Sequence, residues 1–363
     1  MKKINFLTMA LAAFTLFSCT NEEVDNLGNN APGEKSVLTV KVEGAGNSQA
    51  QSRAMGEAVD ADDAVINNYL VFLFREGGAL DCPPHYSNSS ATVTITDGTT
   101  AAKKAYVIAN TGALANGPFA AVKTEDDLLA VAGSLMDNTN NLSTQTKDNL
   151  WMSGEDNVTF TGTNAQLTVS LNYVAAKIQL IVKDKRANMS GGTIQIEDKE
   201  VVLLFAGKSG KFFGAQKSVQ TAFYTGENSY NGAFNTNVTK SAALSDQVTA
   251  PFTDNTGDAV FNHFYTFGND GATKPTILAI KSTKTVNSTA STIYYPIQFT
   301  AADAGHTIVP GNSYTVTVTL NGDVEAGAGG GTTTPEAPVI SSSIEVTVAA
   351  ATWIPETVTK EFN

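Results

Sequence analysis

The sequence predicts an all-β protein with two antiparallel β-sandwich domains, one short helix and a tethered C-terminal strand. Apolar residues alternate with polar ones over many short segments, which is the pattern of half-buried strands. Turn residues recur about every 8–15 positions, a spacing typical of antiparallel sandwiches rather than of alternating strands and helices. At roughly 150 residues per domain, the chain of 363 residues is long enough for two domains.

The composition excludes one broad class of partner. Charged residues make up 16% of the chain, and the formal net charge is −12. This acidic balance argues against nucleic acid, because nucleic acid selects basic surface patches. Abundant Thr, Ser, Asn and Gly together with few charges are typical of an exported β-rich protein.

Residues 1–18 are predicted to be a lipoprotein signal peptide. Two lysines precede an apolar stretch, residues 4–17, that is shorter than the ~20 residues of a membrane-spanning helix. Leu16 and Ser18 stand before Cys19 as in a bacterial lipobox, where the cysteine thiol receives a diacylglycerol, with palmitate as the expected acyl group, and becomes the mature N-terminus. An ordinary secretion signal is the alternative interpretation.

The first strand is predicted at residues 35–43, where apolar and polar residues alternate. Its apolar face consists of Leu38, Val40 and Val42. A small, polar loop follows at 44–64, and loops of this kind are where proteases cut. A trypsin-like cut between Arg53 and Ala54 would remove the strand and the lipid together. The alternative is that Arg53 is simply a charge in a loop.

The remaining elements follow in order along two predicted domains, residues 54–170 and 171–325. A helix is predicted over 125–136, with Thr124 as its N-cap and acidic residues in its first turn. Strands are expected at 66–74, 91–95, 105–109, 158–160, 167–171, 172–182, 192–196, 200–205, 219–223, 260–267, 276–281, 292–299 and 314–320.

The chain ends in a linker and a strand. Glycine-rich residues 326–341 are predicted to be a flexible linker. In the following segment, residues 342–363, strand-like alternation is interrupted at Pro355 and a second short strand follows. A tethered terminal strand can pair with its own domain or with another molecule. We expect this one to leave its subunit and complete a neighbour.

Motifs of enzymes and metalloproteins are not found in the sequence. The three histidines are far apart along the chain, and neither Cys-x-x-Cys, His-Glu-x-x-His nor Gly-x-Ser-x-Gly occurs. After Cys19 only Cys82 remains, so an internal disulfide is excluded and packing is the expected role of that thiol. We therefore expect no enzyme activity, no cofactor and no metal site.

Several segments resemble the FimA-type fimbrillins, the major shaft subunits of Bacteroidales fimbriae. The similar segments run over most of the chain in consistent order. They are the lipobox ending at Cys19, SRA at 52–54, IANTGAL at 108–114, KSGKFFGA at 208–215, FYTFGNDGATKPTILAI at 264–280, YYPIQF at 294–299, VPGNSYTVTVTL at 309–320 and IEVTVAAATW at 344–353.

This resemblance implies two transthyretin-like β-sandwich domains in a subunit that is exported as a precursor lipidated at Cys19. An arginine-specific protease would cut between Arg53 and Ala54 and remove residues 19–53, including the strand of Leu38, Val40 and Val42. The exposed groove would accept the C-terminal strand of another subunit, and repetition would give a filament. The implied donor residues are Ile344, Val346, Val348, Ala350, Trp353, Ile354, Val358 and Phe362.

The resemblance also implies the partners and the location. The partners are further copies of the chain in a head-to-tail filament, accessory tip and anchor subunits, the arginine-specific protease, and the outer membrane through the lipid of the precursor. The mature protein would lie in a cell-surface fimbrium and support adhesion. The alternative is a non-polymerising, lipid-anchored surface protein that binds glycans or host matrix. Its aromatic platform would consist of Tyr224, Tyr230 and Phe234.

Overall fold

The computed structural model describes the chain from Gly33 onward, in several stretches. Among the described residues, no helix is long and apolar enough to cross a membrane. The described residues are 33–44, 65–88, 91–114, 117–134, 150–184, 194–214, 220–226, 238–241, 244–249, 252, 259–260, 264–302, 304–320, 332–335 and 344–352.

The described part of the chain is nearly all β, which confirms the predicted fold class. The helix is α1, Glu125–Ala130. The strands are β1 Val37–Glu43, β2 Tyr69–Arg75, β3 His85–Ser87, β4 Thr92–Ile95, β5 Ala102–Ala109, β6 Ala132–Ser134, β7 Met152–Asn157, β8 Asn164–Ser170, β9 Asn172–Tyr173, β10 Ala176–Asp184, β11 Ile194–Leu204, β12 Ala206–Gly207, β13 Ser209–Lys211, β14 Phe223–Thr225, β15 Val238–Lys240, β16 Ser245–Gln247, β17 Ala259–Val260, β18 Phe264–Thr266, β19 Ile277–Val286, β20 Thr289–Gln298, β21 Asn312–Leu320 and β22 Ile344–Thr352.

Two sheets in the first half of the chain enclose one core. The larger has the order β3-β2-β5-β7-β9, and the smaller has the order β4-β1-β8. Strand β2 is buried on both faces, as its unbroken apolar sequence predicts. Its residues Tyr69, Val71 and Leu73 belong to the core that also contains the apolar face of β1. The opposite face of β2 packs into a second core that continues into the other half of the chain.

The second half contains one sheet of five strands and one of four. One has the order β17-β10-β21-β22 with β18 also paired to β10, and the other has the order β16-β11-β19-β20. Strands β10 and β21 run parallel, as do β1 with β8 and β14 with β15. The sheets that contain these three pairs are therefore mixed, whereas β3-β2-β5-β7-β9 and β16-β11-β19-β20 are antiparallel throughout. Apolar side chains from both sheets meet in one core, among them Leu180, Leu203, Ile280 and Val316. Strands β11 and β19 also contribute to a separate buried cluster, with Val202, Leu204, Ile277 and Ala279.

Aromatic side chains join the two halves. The indole of Trp151 lies between two phenylalanines of the second half, with ring centroids 5.4 Å from Phe212 and 5.8 Å from Phe267. Tyr106 and Phe213 meet edge to face with centroids 4.8 Å apart. The Ser153 hydroxyl donates a hydrogen bond of 2.6 Å to the Phe212 carbonyl. The KSGKFFGA segment thus supplies Phe212 and Phe213 to this junction, and the segment of residues 264–280 supplies Phe267.

The helix is shorter than the sequence predicts. Thr124 caps it as expected, since the Thr124 hydroxyl accepts from the Asp127 N–H and the Asp127 carboxylate accepts from the Thr124 N–H. The predicted C-terminal part is wrong, because Val131 is already extended and Ala132–Ser134 pairs with β13. Sheet pairing with a distant segment overrides the local helical spacing.

Other predicted strands also differ from the structure. Residues 158–160 form no strand and lie between β7 and β8. The strands predicted at 192–196 and 200–205 are one strand, β11, with a bulge between Asp198 and Glu200 that shifts its phase. The strand predicted at 219–223 begins only at Phe223.

The boundary between the two predicted domains stays a prediction. Strand β9 still pairs with β7 of the first half, and β10 is the first strand of the second half's sheet.

In the predicted linker, Thr332 exchanges backbone hydrogen bonds of 2.7 and 2.9 Å with Tyr294 of β20. This part of the linker is therefore docked on a sheet.

Candidate functional site

The candidate site is the place of β1 between its two neighbours. It pairs antiparallel with β4, from Leu38 opposite Ile95 to Lys41 opposite Thr92. On its other side it pairs parallel with β8 along its whole length, in a register that begins with Val37 opposite Asn164. Both backbone edges of β1 are thus engaged, which is the position of a central strand.

Alternation along β1 fills the core from one face. Leu38, Val40 and Val42 are each no more than 1% exposed, whereas Val37 is 41% exposed. The three buried side chains belong to the same core as Val71, Val107 and Val169 of strands β2, β5 and β8. At about 1.5–3 kcal/mol for each aliphatic side chain, the burial of this face is a major part of what holds β1 in place.

Hydrogen bonds also secure both ends of β1. Before the strand, the Ser36 N–H donates to the Gly98 carbonyl at 3.0 Å, and the Thr100 N–H donates to the Glu34 carbonyl at 2.9 Å. After it, the Leu171 N–H donates to the Glu43 carbonyl at 2.9 Å. Residues 34–43 therefore form a continuous insert along the β4-β8 slot.

Strand β22 occupies a different position in the sheet order. It pairs antiparallel with β21, from Ile344 opposite Leu320 to Thr352 opposite Asn312. In the described part of the chain it ends its sheet, so that β21 lies on one side of it only. In this single chain the C-terminal strand is an edge strand of its own subunit, and leaving would require breaking one ladder.

Several predicted site residues lie outside the described part of the chain. These are the lipidation residue Cys19, the cleavage residues Arg53 and Ala54, and the donor residues Trp353, Ile354, Val358 and Phe362. The donor residues Ile344, Val346, Val348 and Ala350 all lie on β22. Leu38, Val40 and Val42 lie together on β1. The roles assigned to all of them stay predictions.

The alternative aromatic platform loses one of its three members. Tyr224 is 3% exposed and belongs to the main core, where its ring centroid is 5.1 Å from the Lys208 ammonium. A buried ring cannot stack on a glycan at the surface. Tyr230 and Phe234 lie outside the described residues.

Two asparagines in the segments that resemble fimbrillins have structural roles. Asn110 is fully buried at a φ of 66°, and its side chain bonds the backbone of Val65, Asn67 and Leu150, each at 2.8 Å. Asn269 is 2% exposed and bonds the Lys274 carbonyl at 2.9 Å. These side chains replace missing backbone partners at tight bends, which is a structural role.

One cluster of reactive side chains was not predicted. The Cys82 thiol, the His85 ring and the Asp97 carboxylate each place one ligand atom within 4.8 Å of the others. The sequence signal was the Cys-x-x-His spacing of residues 82 and 85. Asp97 comes from a separate turn, and only the pairing of strands brings it close.

A second polar cluster joins Lys104 and Tyr106 of β5 to Glu125 of α1. The Tyr106 hydroxyl donates to the Glu125 carboxylate, which the Lys104 ammonium also approaches at 3.3 Å. Burial, followed by the hydrogen bond to Glu125 and the charge of Glu155, raises the pKa of Tyr106. Tyr106 is therefore a neutral hydrogen-bond donor, and this cluster fastens the helix to the sheet.

Two sequence families match the chain. The family described as major fimbrial subunit protein (FimA) matches residues 36–204. The family described as FimA-like major fimbrial subunit protein, C-terminal domain, matches residues 175–353. Among curated proteins, none matches the chain.

The chain is also similar to solved structures. A proposed cell adhesion protein from Bacteroides eggerthii is 69% identical, with a TM-score of 0.81, and the alignment covers 90% of this chain and 98% of that one. A proposed cell adhesion protein from Parabacteroides distasonis is 19% identical with a TM-score of 0.62, and the alignment covers 89% of this chain and 98% of that one. The second likeness concerns the fold alone.

Proposed function

The chain belongs to the FimA-type major fimbrial subunit family, and from this premise we propose that it forms the shaft of a fimbria by exchanging β1 for the C-terminal strand of another subunit. Its membership makes it a fimbrial or adhesion subunit of the cell surface. The exchange, the maturation and the lipid anchor are the parts that we propose.

The position of β1 is the observation that carries the proposal. It is a central strand with a fully buried apolar face, yet it comes from the N-terminal end of the described chain. Its loss would separate β4 from β8 by two strand spacings, about 9.6 Å. The gap would expose unpaired backbone groups on both strands and an apolar slot beneath them. An opening of this kind favours the insertion of a strand from another chain.

The C-terminal strand has the pattern to fill that slot. Ile344, Val346 and Val348 alternate along β22 as Leu38, Val40 and Val42 do along β1. In the single chain β22 is held through one ladder, with β21. Transfer to the β1 slot would replace one ladder by two, which gives a backbone reason for the exchange to favour the assembled state.

Cleavage supplies the timing. Strand β1 ends at Glu43 and β2 begins at Tyr69, so the connection that contains Arg53 lies between them. After a cut between Arg53 and Ala54, β1 would be held by noncovalent contacts alone and could dissociate. Before the cut, the high local concentration of the tethered strand keeps the slot occupied.

The exchange yields an open filament. A donor strand from one subunit and the β1 slot of the next are different surfaces, so the contact is heterologous and does not close. Each subunit offers one slot and one donor strand, which predicts a head-to-tail chain. Tip subunits need no donor strand and an anchor subunit would keep its lipid. The C-terminal arm and the Arg53 loop therefore favour a shaft role, with tip and anchor subunits as partners.

The lipid has a transient role in this scheme. Cys19 would anchor the precursor in the outer membrane, and the cut at Arg53 would release the subunit together with the exposed slot. The lipid and β1 would leave together in one fragment of residues 19–53. An arginine-specific protease at the cell surface is the implied partner.

N-terminal sequencing of surface-sheared protein tests the maturation. We expect a mature chain that begins at Ala54, and ladders of polymers on gels of unheated samples. The Arg53→Ala variant should keep its N-terminal segment and stay monomeric. Arg186 is also followed by alanine, so the Arg186→Ala variant is a matched control that should polymerise. A surface protein that retains an acylated Cys19 would overturn the proposal.

A further inference from the structure

A compact cluster of three different ligand types lies beside the β1 slot. Cys82 lies in the segment that joins β2 to β3, His85 is the first residue of β3, and Asp97 lies in the turn between β4 and β5. Their Sγ, Nε2 and carboxylate atoms lie within 4.8 Å of one another. In the described part of the chain, this is the group of such side chains whose spacing suits a metal ion.

The three groups converge on one nitrogen. His85 Nε2 lies 2.8 Å from Asp97 Oδ1 and 3.9 Å from Cys82 Sγ. In a catalytic Cys-His-Asp triad, the two partners contact opposite nitrogens of the ring, because a proton must pass through it. Convergence on the same nitrogen does not provide that path. It is the arrangement of ligands around a common point.

We propose that Cys82, His85 and Asp97 bind a zinc ion, with water in the fourth position. Thiolate sulfur, imidazole nitrogen and carboxylate oxygen are all zinc ligands. A single thiolate together with an imidazole disfavours calcium and magnesium, which prefer oxygen ligands alone. Zinc in tetrahedral coordination therefore suits this donor set.

Two of the three ligand spacings, those from His85 Nε2, need only small adjustments. Zinc bonds of about 2.0–2.3 Å at tetrahedral angles place sulfur and nitrogen about 3.5 Å apart, and nitrogen and oxygen about 3.4 Å apart. The corresponding distances here are 3.9 and 2.8 Å. Each pair would shift by roughly half an ångström. The side chains of His85 and Asp97 are 26% and 50% exposed, which gives the ion a path from solvent.

Zinc binding would require the buried Cys82 thiol to lose its proton. Cys82 is 7% exposed, and burial, followed by the charges of Asp97 and Asp81, raises the pKa of its thiol to about 12. Zinc would displace the thiol proton to solvent and bond the sulfur. The proton on His85 would reside on Nδ1, leaving the Nε2 lone pair for the metal. Binding near neutral pH thus releases one proton.

A second layer of contacts fixes the cluster. Asp81 accepts hydrogen bonds from the Thr99 N–H and hydroxyl, both at 2.6 Å, and from Arg75 Nε at 2.8 Å. It thereby ties the Cys82 segment to the turn that carries Asp97. Supporting contacts of this kind orient metal ligands in proteins.

The site is also connected to the segment that leads into β1. The turn of residues 97–100 bonds the backbone of Glu34 and Ser36. Zinc would tie this turn, through Asp97, to Cys82 and His85. The ion would fix the turn of residues 97–100, at the end of the slot where β1 begins, whether or not β1 is present.

The test uses the purified full-length chain in a Cys19→Ala background, so that Cys82 is the sole cysteine. Titration with zinc chloride in a calorimeter should give one ion per chain. Cobalt chloride should give a thiolate charge-transfer band in the near ultraviolet, and zinc should remove it. Asp97→Asn and His85→Gln should each weaken zinc binding by at least about tenfold. Cys82→Ser should abolish the cobalt band.

Two control variants separate the site from general effects. Asp126→Asn changes an exposed carboxylate on α1, and His306→Gln changes a histidine of the second half. Both should bind zinc as the parent does. The half-exposed Asp97 side chain makes Asp97→Asn the variant least prone to misfold, and circular dichroism checks its fold. Absence of a thiolate band, or equal zinc affinity in the parent, Asp97→Asn and His85→Gln, would overturn the proposal.

Discussion

Truncating the buried Leu38 side chain should weaken the binding of the whole β1 strand to its slot. Leu38 is 1% exposed in the core beneath β1, so Leu38→Ala should cost about 2–5 kcal/mol through lost burial and the cavity left behind. After the Arg53–Ala54 cut, β1 is held noncovalently, and the same free energy should appear as weaker retention of the cut segment. This corresponds to a roughly 30-fold to several-thousand-fold higher dissociation constant.

The assay follows release of the N-terminal segment after cleavage. A fluorophore near the N-terminus reports dissociation of the cut peptide from a subunit that lacks residues 344–363, so that no donor strand competes. The matched control is Lys41→Ala on the opposite face of the same strand. Lys41 is exposed and pairs with Glu43 at 2.9 Å, and an exposed ion pair contributes at most about 1 kcal/mol.

Comparing variants on the buried and exposed faces of β1 tests which face holds the strand in the slot. Leu38→Ala should release the cut segment far faster than the parent, and Lys41→Ala should differ from the parent by a few-fold at most. Equal release by Leu38→Ala and Lys41→Ala would refute the claim that the buried face of β1 holds it in the slot.

Two further predictions concern other parts of the fold. Asn110→Ala should lower the free energy of unfolding by about 2 kcal/mol in urea titrations, because three backbone groups lose the partner that the fully buried Asn110 side chain provides. Asn157→Ala, at an exposed site, is the control and should change little. Cys82 should resist iodoacetamide at pH 8 in the folded chain and react rapidly in urea, because its raised pKa keeps the thiol protonated. Since that pKa rises from 9.0 to about 12 on folding, stability should fall as pH rises through this interval. Rapid alkylation of the folded chain, or stability that rises over that interval, would contradict the burial of this thiol.

Much of the fold follows from local sequence patterns. The alternation in β1 identifies Leu38, Val40 and Val42 as the inward face, and the unbroken apolar sequence of β2 identifies a strand buried on both faces. Thr124 marks the helix start because the cap is a local interaction. These features depend on residues that are neighbours along the chain.

The features that the sequence missed depend on long-range pairing. The helix ends early because Ala132–Ser134 pairs with β13, which lies more than seventy residues away. The bulge in β11 interrupts the alternation of inward and outward side chains, so that the sequence pattern predicts two strands where the structure has one. The cluster of Cys82, His85 and Asp97 forms only because the β2–β3 segment and the β4–β5 turn meet in space. Local spacing carries little information about such contacts.

The most direct measurement of the central claim is the binding of the C-terminal strand, added as a peptide, to an empty slot. The acceptor is the cleaved subunit that lacks residues 344–363 and has released β1, and the peptide spans residues 342–363. Calorimetry should show one peptide bound per cleaved subunit and none bound to the uncleaved Arg53→Ala subunit, whose slot β1 fills. Equal binding by the two subunits, or no binding by the cleaved one, would contradict strand exchange at β1.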